Sequence, residues 1–487
     1  VVQEQEFRDS SYIGFSRKSK CYSMRELTKG SPAKVIMTFA LPIIFGNLLQ
    51  QLYNLADGKI VSTYVGTQAF AAVGATAVIA NLIIGFVNGV TQGFGIPISR
   101  CFGAGDYKNM RRYVAGSFIM TVAMTLILTV GALLGIEGLL HILDTPADIM
   151  EEALQYIRII IMGTAFISLY NYSANILRAV GESQIPLLCL AVAVILNIFL
   201  DILFVHTFSM GLRGAAHATN IAQCIAGVLC MAYLLFRFRE LVPKGQEWQV
   251  QRRKYQEMTV FGISLGMMSC FVSIGTVIFQ TAVNRLGTKI VTAHIAARRI
   301  EELTNVPMLC TGMAMTTYAS QNLGAGEYDR IKKGIHQAFV IVLVQGVIFT
   351  TFCWIFGHPL IRWITSSNDT YILDTAYRYL TRNTSFYFVL GPLFVLRCSL
   401  QGLEHKVIPV ASSILELVLK IVSTIWIVPV LGYTGVIYTE PIIWIFMTLM
   451  LIGGYVRALK QINEAEHIKS ARNAKAENEK INVDNRL

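Results

Sequence analysis

The chain of 487 residues is 54% hydrophobic and only 15% charged, with a mean hydropathy of +0.53; a water-soluble chain carries roughly a quarter charged residues, so composition argues against a soluble globular protein. The net charge of +11 would suit a nucleic-acid binder, but Lys and Arg gather in the termini and in alternate loops. That is the positive-inside pattern of a membrane protein, and it argues against nucleic acid as a partner. The nine Cys lie mostly within apolar runs, with no CxxC and no His at metal spacing, so neither a disulfide nor a zinc framework is expected, and no cofactor.

Residues 1–33 hold Arg17, Lys18, Lys20, Arg25 and Lys29 but no apolar core region, and read as a cytoplasmic arm rather than a signal peptide. Apolar runs then recur, each long enough for a hydrocarbon core of roughly 30 Å. Twelve spans are predicted, at 35–64, 69–97, 113–140, 153–178, 185–206, 214–237, 256–284, 290–318, 335–357, 372–399, 407–430 and 434–457. The fold class is therefore an all-α integral membrane protein of twelve transmembrane helices in two pseudo-symmetric six-helix lobes. Arg100, Lys108, Arg111 and Arg112 mark one inside loop, and Arg330, Lys332 and Lys333 another. Asp144, Asp148, Glu151 and Glu152 sit in a loop without Lys or Arg, expected outside. Both termini then fall in the cytoplasm of a multi-pass cell-membrane protein. The predicted division is an N-lobe at 34–240, a basic cytoplasmic linker at 241–255, a C-lobe at 256–460 and a polar tail at 461–487.

The lobes rest on an internal repeat. At an offset of 221 residues Gly66-Thr67 meets Gly287-Thr288, Ala72 meets Ala293, Ile79 meets Ile300 and Ser99 meets Ser320; Gly103 through Tyr107 (GAGDY) meets Gly324 through Tyr328 (GAGEY). Six spans per repeat return the chain to the same side, so the repeats are parallel and their axis runs along the membrane normal, as in known transporters. The Gly-Ala-Gly loops lack a following Gly-Lys-Ser/Thr and a preceding strand, and read as helix-ending turns rather than phosphate cradles.

Polar side chains inside the spans are the functional candidates, because a charge near the bilayer centre costs roughly 2.5–3.5 kcal/mol on insertion scales. In the first span Pro42, Gly46, Gln50, Tyr53 and Asp57 fall on one helical face. Pro42 permits a bend, and Asp57 is a carboxyl that can take up and release a proton. In the fifth span Asn197 and Asp201 are four residues apart and share a face; Thr219 of the sixth can reach the same space, and Asn171 and Asn175 of the fourth are again four apart. Such oxygens are hard ligands, suited to H⁺ or Na⁺ and unsuited to a soft metal. In the second half Gln280, Arg298, Arg397, Glu416 and Lys420 are cavity candidates, the seventh and tenth spans having no acid of their own. Glu416–Lys420 and Arg298–Glu302 are spaced as self-neutralising pairs.

The stretch from Leu41-Pro42 through Gln50-Gln51-Leu52-Tyr53-Asn54 to Asp57 resembles the first helix of MATE (multidrug and toxic compound extrusion) transporters. Gly181 with Pro186 ahead of Asn197 and Asp201, Gly214-Ala215-Ala216 before Thr219, and the Gly-Ala-Gly loops resemble them too. The resemblance spans about residues 31–460, and the first half is similar to the DinF-like branch. It implies two lobes around a central cavity, alternating access, and export of drug-like, often cationic, compounds in exchange for H⁺ or Na⁺ by a protein that acts as a monomer. In that branch the positions matching Asp57, Asn197, Asp201 and Thr219 form the ion site, with Tyr53 beside it and Pro42 at a bend. The rival reading is a flippase for lipid-linked oligosaccharides, which calls for about fourteen helices and a cationic cavity; Arg298, Arg299 and Arg397 favour it. An intramembrane enzyme finds no support, since HExxH is missing and no His residues cluster on one helix face.

Overall fold

A computed structural model describes residues 26–142 and 145–484, with the side chains of residue 67 and of 471–484 excepted. The expected arm before residue 26, Asp144 and the last three residues lie outside the described part. Fifteen α-helices follow one another: α1 (Pro32–Tyr64), α2 (Thr67–Gly103), α3 (Tyr107–Ile142), α4 (Ala147–Met162), α5 (Thr164–Ala179), α6 (Gln184–Asp201), α7 (Gly211–Arg237), α8 (Arg252–Asn284), α9 (Thr288–Ala325), α10 (Tyr328–Thr365), α11 (Thr370–Thr384), α12 (Tyr387–Gly402), α13 (Val407–Val422), α14 (Val428–Leu431) and α15 (Tyr433–Asp484). They make twelve spans, because α4 runs on into α5, α11 into α12, and α13 into α14 through a π-helical turn.

Among the described residues ten helical segments are long and apolar enough to cross a membrane by themselves. The other two spans are α9, with Arg298, Arg299, Glu301 and Glu302 in its first half, and the interrupted α11–α12. Protein rather than lipid solvates them: α9 packs against α1, α2, α10, α11 and α12. On α3, by contrast, Leu126, Ile127 and Leu134 face outward as a lipid-contact surface should.

The helices overrun the spans drawn from hydropathy. α2 continues past residue 97 to Gly103 because its polar last turn is covered by the other half: Ser320 Oγ donates to the Ile96 carbonyl at 2.8 Å, and Ser99 Oγ to the Thr317 carbonyl at 3.3 Å. The fourth span breaks at Gly163, where the Asn220 amide of α7 inserts and donates to the Ile159 carbonyl at 2.6 Å. Breaks and bulges repeat with the sequence. Gly105 and Gly326 both have φ of +69°, the left-handed conformation in which glycine is free of strain, and both end a helix as turns. A π-helix at Ile202–Thr207 is answered by one at Ser423–Ile427.

The halves meet at the end of the bundle that carries the basic turns. There the equivalent helices α2 and α9 touch reciprocally: a Cβ on Gly103 would lie 1.9 Å from the Gln321 carbonyl oxygen, and one on Gly324 2.0 Å from that of Arg100. Arg100 also bridges to Glu257 of α8 at 2.9 Å and to Glu404. Gln321 donates to the Ala179 carbonyl and accepts from the Leu27 amide at 3.0 Å. At the far end each half bonds within itself, as in Gln68 to Asp148 and Lys289 to Asp369. Gly103→Ala is therefore expected to lower the thermal unfolding midpoint of the detergent-purified protein, by overpacking of about 1–3 kcal/mol. Gly131→Ala, with nothing within 4 Å of the added carbon, serves as control. Equal midpoints for the two variants would refute this close approach.

Candidate ion and substrate sites

Three polar regions lie inside the bundle. The first is built where α1, α6 and α7 pack together in the N-terminal half. Tyr53 of α1 and Thr219 of α7 share a hydroxyl–hydroxyl bond of 3.0 Å. Asn197 and Asp201 lie on the inner face of α6, 1% and 0% exposed. Asp201 ends the regular helix, and the π-helical turn follows directly; such turns are frequent at functional sites. Asp57 lies one turn beyond Tyr53, within electrostatic range of Asp201. Five buried atoms here find no protein partner: Asp57 Oδ1, both Asp201 carboxylate oxygens, and Oδ1 and Nδ2 of Asn197. Buried polar atoms are paired almost everywhere in native proteins, so a cluster of orphans marks a place for a ligand, a proton or water. Of the predicted N-half residues, Tyr53, Asp57, Asn197, Asp201 and Thr219 are thus brought together.

Sequence reasoning missed Tyr156 of α4. Its buried ring lies within electrostatic range of both Asp57 and Asp201. A tyrosine in an apolar run carries no signal of its own; only the packing of α4 against α7 and α2 brings it here.

The second region is a polar pocket of about 80 Å³ nearer the basic end, lined by Pro42, Gln50 and Asn171 together with Asn47, Asn88 and Arg178. Pro42 sits within an unbroken α1. Asn175 is not part of this pocket: its amide donates to Thr91 Oγ1 at 3.0 Å and its carbonyl accepts from Arg178 at 3.2 Å, so it joins helices.

The third is a cavity of about 610 Å³ between the halves, walled mostly by the C-terminal one. Its charges form a chain. Arg397 meets Glu416 at 3.6 Å, Glu416 meets Lys420 at 3.0 Å, and Lys420 meets Glu440 at 3.3 Å. Arg298 stands 3.9 Å from Glu440 and 3.3 Å from Glu301, whose other partner is the Tyr379 hydroxyl at 3.1 Å. Glu301 and Lys420 are 0% and 2% exposed. Three cations thus alternate with three carboxylates.

Several expectations need correction here. Arg298 pairs with Glu301 and not with Glu302, which goes to Arg299 at 3.8 Å on the more exposed side of the helix; third and fourth neighbours both lie within reach on a helix, and burial decided between them. Glu416–Lys420 is present, but as a link in the chain rather than a closed pair. The seventh and tenth spans do carry acids, at their ends: Glu257 pairs with Arg100, and Asp374 of α11 lies 3.7 Å from His358. Gln280 donates to Asn284 along its own helix at 2.8 Å; it lies half-buried one turn beyond Thr276 and is not among the residues that line the cavity.

Fold and sites together define a helical, two-repeat membrane protein with polar sites buried between its spans. The sequence model of the family described as MatE matches this chain twice, at residues 42–203 and 265–426, and the chain belongs to that family of transporters. Similar relatives include a protein named "Probable multidrug resistance protein YpnP" from Bacillus subtilis, 26% identical over 82% of this chain and 88% of its own length. Another, from Thermotoga maritima, is named "Probable multidrug resistance protein NorM" and is 26% identical over 68% of this chain and 72% of its own length. A solved structure described as the outward-facing conformation of a multidrug resistance MATE family transporter of the MOP superfamily superposes with a TM-score of 0.83. It is 23% identical and covers 92% of this chain and all of its own.

Proposed function

We propose that this chain is a secondary antiporter that exports drug-like organic compounds, often cationic, in exchange for H⁺ or Na⁺. The observation that carries the reading is the pair of intramembrane carboxylates, Asp57 and Asp201, which together with Asn197 leave five buried polar atoms unpartnered. Asp57, Asn197, Asp201 and Thr219 supply the hard oxygen ligands, Tyr53 and Tyr156 border them, and Pro42 lets α1 move. The lobes at 34–240 and 256–460, joined by the linker at 241–255, alternate their contacts. Cross-half bonds at the basic end, with bonds kept within each half at the far end, fit an outward-facing state, with the roughly 610 Å³ cavity as the drug chamber, a size usual for drug-sized ligands. Each site is complete within one chain, as a monomer requires. The rival flippase needs a strongly cationic main cavity, whereas the Arg298, Arg397 and Lys420 that line this one are each held by a carboxylate; export fits better.

Efflux of a fluorescent drug from proteoliposomes, with a pH gradient and a Na⁺ gradient imposed separately, tests this reading. One of the two gradients should drive export, and indifference to both would remove it. The placement in the cell membrane with cytoplasmic termini rests on the basic residues of the linker, among them Lys244, Arg252 and Arg253. In a Cys-free background, an impermeant thiol reagent applied to intact cells should reach a cysteine placed at Ala147 and miss one placed at Gln246. The reverse labelling would invert the topology.

A further inference from the structure

Arg178 is the one charged residue lining the polar pocket at the floor of the outward-facing space. It borders that pocket and a smaller void beside it; the pocket adjoins the large cavity through Asn47, Asn88 and Met313, and the void through Gln92 and Met313. Unlike Arg298, Arg397 and Lys420 it pairs with no carboxylate among the described residues. Its NH1 donates to the Asn175 carbonyl at 3.2 Å, and its buried Nε finds no acceptor. The nearest acid in sequence, Glu182, is occupied in capping α6, accepting from the Gln184 amide at 2.8 Å. A cation in the last turn of α5 does suit that helix's dipole. The dipole, however, leaves the guanidinium without a counter-charge and its buried Nε without a partner, and an unpartnered buried polar group is costly. Around it, Gln50, Asn88 and Asn171 offer amide donors in a space with room for roughly two or three waters.

We propose that Arg178 with these amides binds an oxyanion, a carboxylate or phosphate group carried by the exported compound. The substrates of this transporter then include amphiphiles with an anionic end, whose apolar body occupies the larger cavity. The proposal rests on the export reading and names the substrate class for it. Guanidinium groups bind such oxyanions through charge-assisted, often forked, hydrogen bonds.

The test is equilibrium binding in nanodiscs of a xanthylium dye with a free benzoate and of its methyl ester, which differ only in the anion. The unaltered protein should bind the acid about tenfold more tightly or better, the worth of one charge-assisted contact. Arg178→Gln should bring that preference below about twofold while ester binding stays as it was, and that constancy reports an intact fold. Arg178→Lys should keep part of the preference. Should Arg178→Gln bind neither dye, Asn171→Ala decides: it must weaken the acid about threefold more than it weakens the ester. Displacement of the acid by acetate or by inorganic phosphate, whichever acts at the lower concentration, tells the carboxylate from the phosphate. Failure to bind the acid, no preference for it in the unaltered protein, a preference that survives Arg178→Gln, or displacement by neither anion overturns the assignment. Gradient-driven transport of the ester is a separate measurement, so the anion site and the export reading can fail independently.

Discussion

Asp57→Asn is expected to abolish gradient-driven export in proteoliposomes while the protein still inserts, folds and binds its substrates. The amide keeps the size of the side chain and removes the only function an exchangeable carboxyl has there, so transport should fall to the level of empty liposomes. The energetics show why one group can carry so much. One charge moved through 100 mV is worth about 2.3 kcal/mol, and one pH unit about 1.4 kcal/mol. Together they sustain a neutral solute at an asymmetry of roughly several-hundred-fold; for a monovalent cation exchanged for one proton the voltage cancels and about tenfold per pH unit remains. Asp201→Asn should weaken coupling as well, because Asp201 belongs to the same unpartnered buried cluster and lies within electrostatic range of Asp57. Undiminished export by Asp57→Asn would remove the coupling role of the N-terminal half.

The second large effect is expected in the charged chain of the C-terminal half. Lys420→Met removes the cation that Glu416 and Glu440 share and leaves one buried negative charge uncompensated. Breaking a buried ion pair from one side costs about 3–5 kcal/mol, so the folded yield and thermal midpoint of this variant should fall sharply. Adding Glu440→Gln restores neutrality, with Arg298–Glu301 and Arg397–Glu416 as two remaining pairs. The double variant should therefore recover most of the loss and still export. A double variant no better than the single would mean that these groups do not compensate one another. A double variant that is stable yet uncoupled would place part of the ion handling in this half.

Membership in a twelve-span, two-lobe architecture was legible in the sequence because bilayer thickness fixes the length of an apolar run, and because the repeat preserves identities at one offset. The N-terminal cluster was legible for a related reason. A carboxylate or amide in an apolar helix is conspicuous, and helical spacing alone puts Tyr53 and Asp57 on one face and Asn197 and Asp201 on another. Partners outside such a pattern stayed hidden. Tyr156 looks like an ordinary core aromatic until α4 packs beside α7, and Arg178 looks like the basic end of a span until its lack of a counter-charge is seen.

What the sequence alone determined is thus the class of molecule, its division into repeats and the chemistry on each helical face, since all three follow from periodicities within single segments. Only the tertiary structure decided which faces meet. Glu301 rather than Glu302 answers Arg298 because α11 and α15 bring Tyr379 and Glu440 to that side of α9. Asn175 became a strut for the same kind of reason: spacing fixes where a side chain lies around its own axis, but the rotation of one helix against its neighbours is set by close packing over residues far apart in the chain. The choice of which end is closed belongs there too. Gly103 and Gly324 mark themselves in sequence only as turn glycines, and the 1.9–2.0 Å approach that makes any side chain there a wedge exists only once α2 and α9 have crossed.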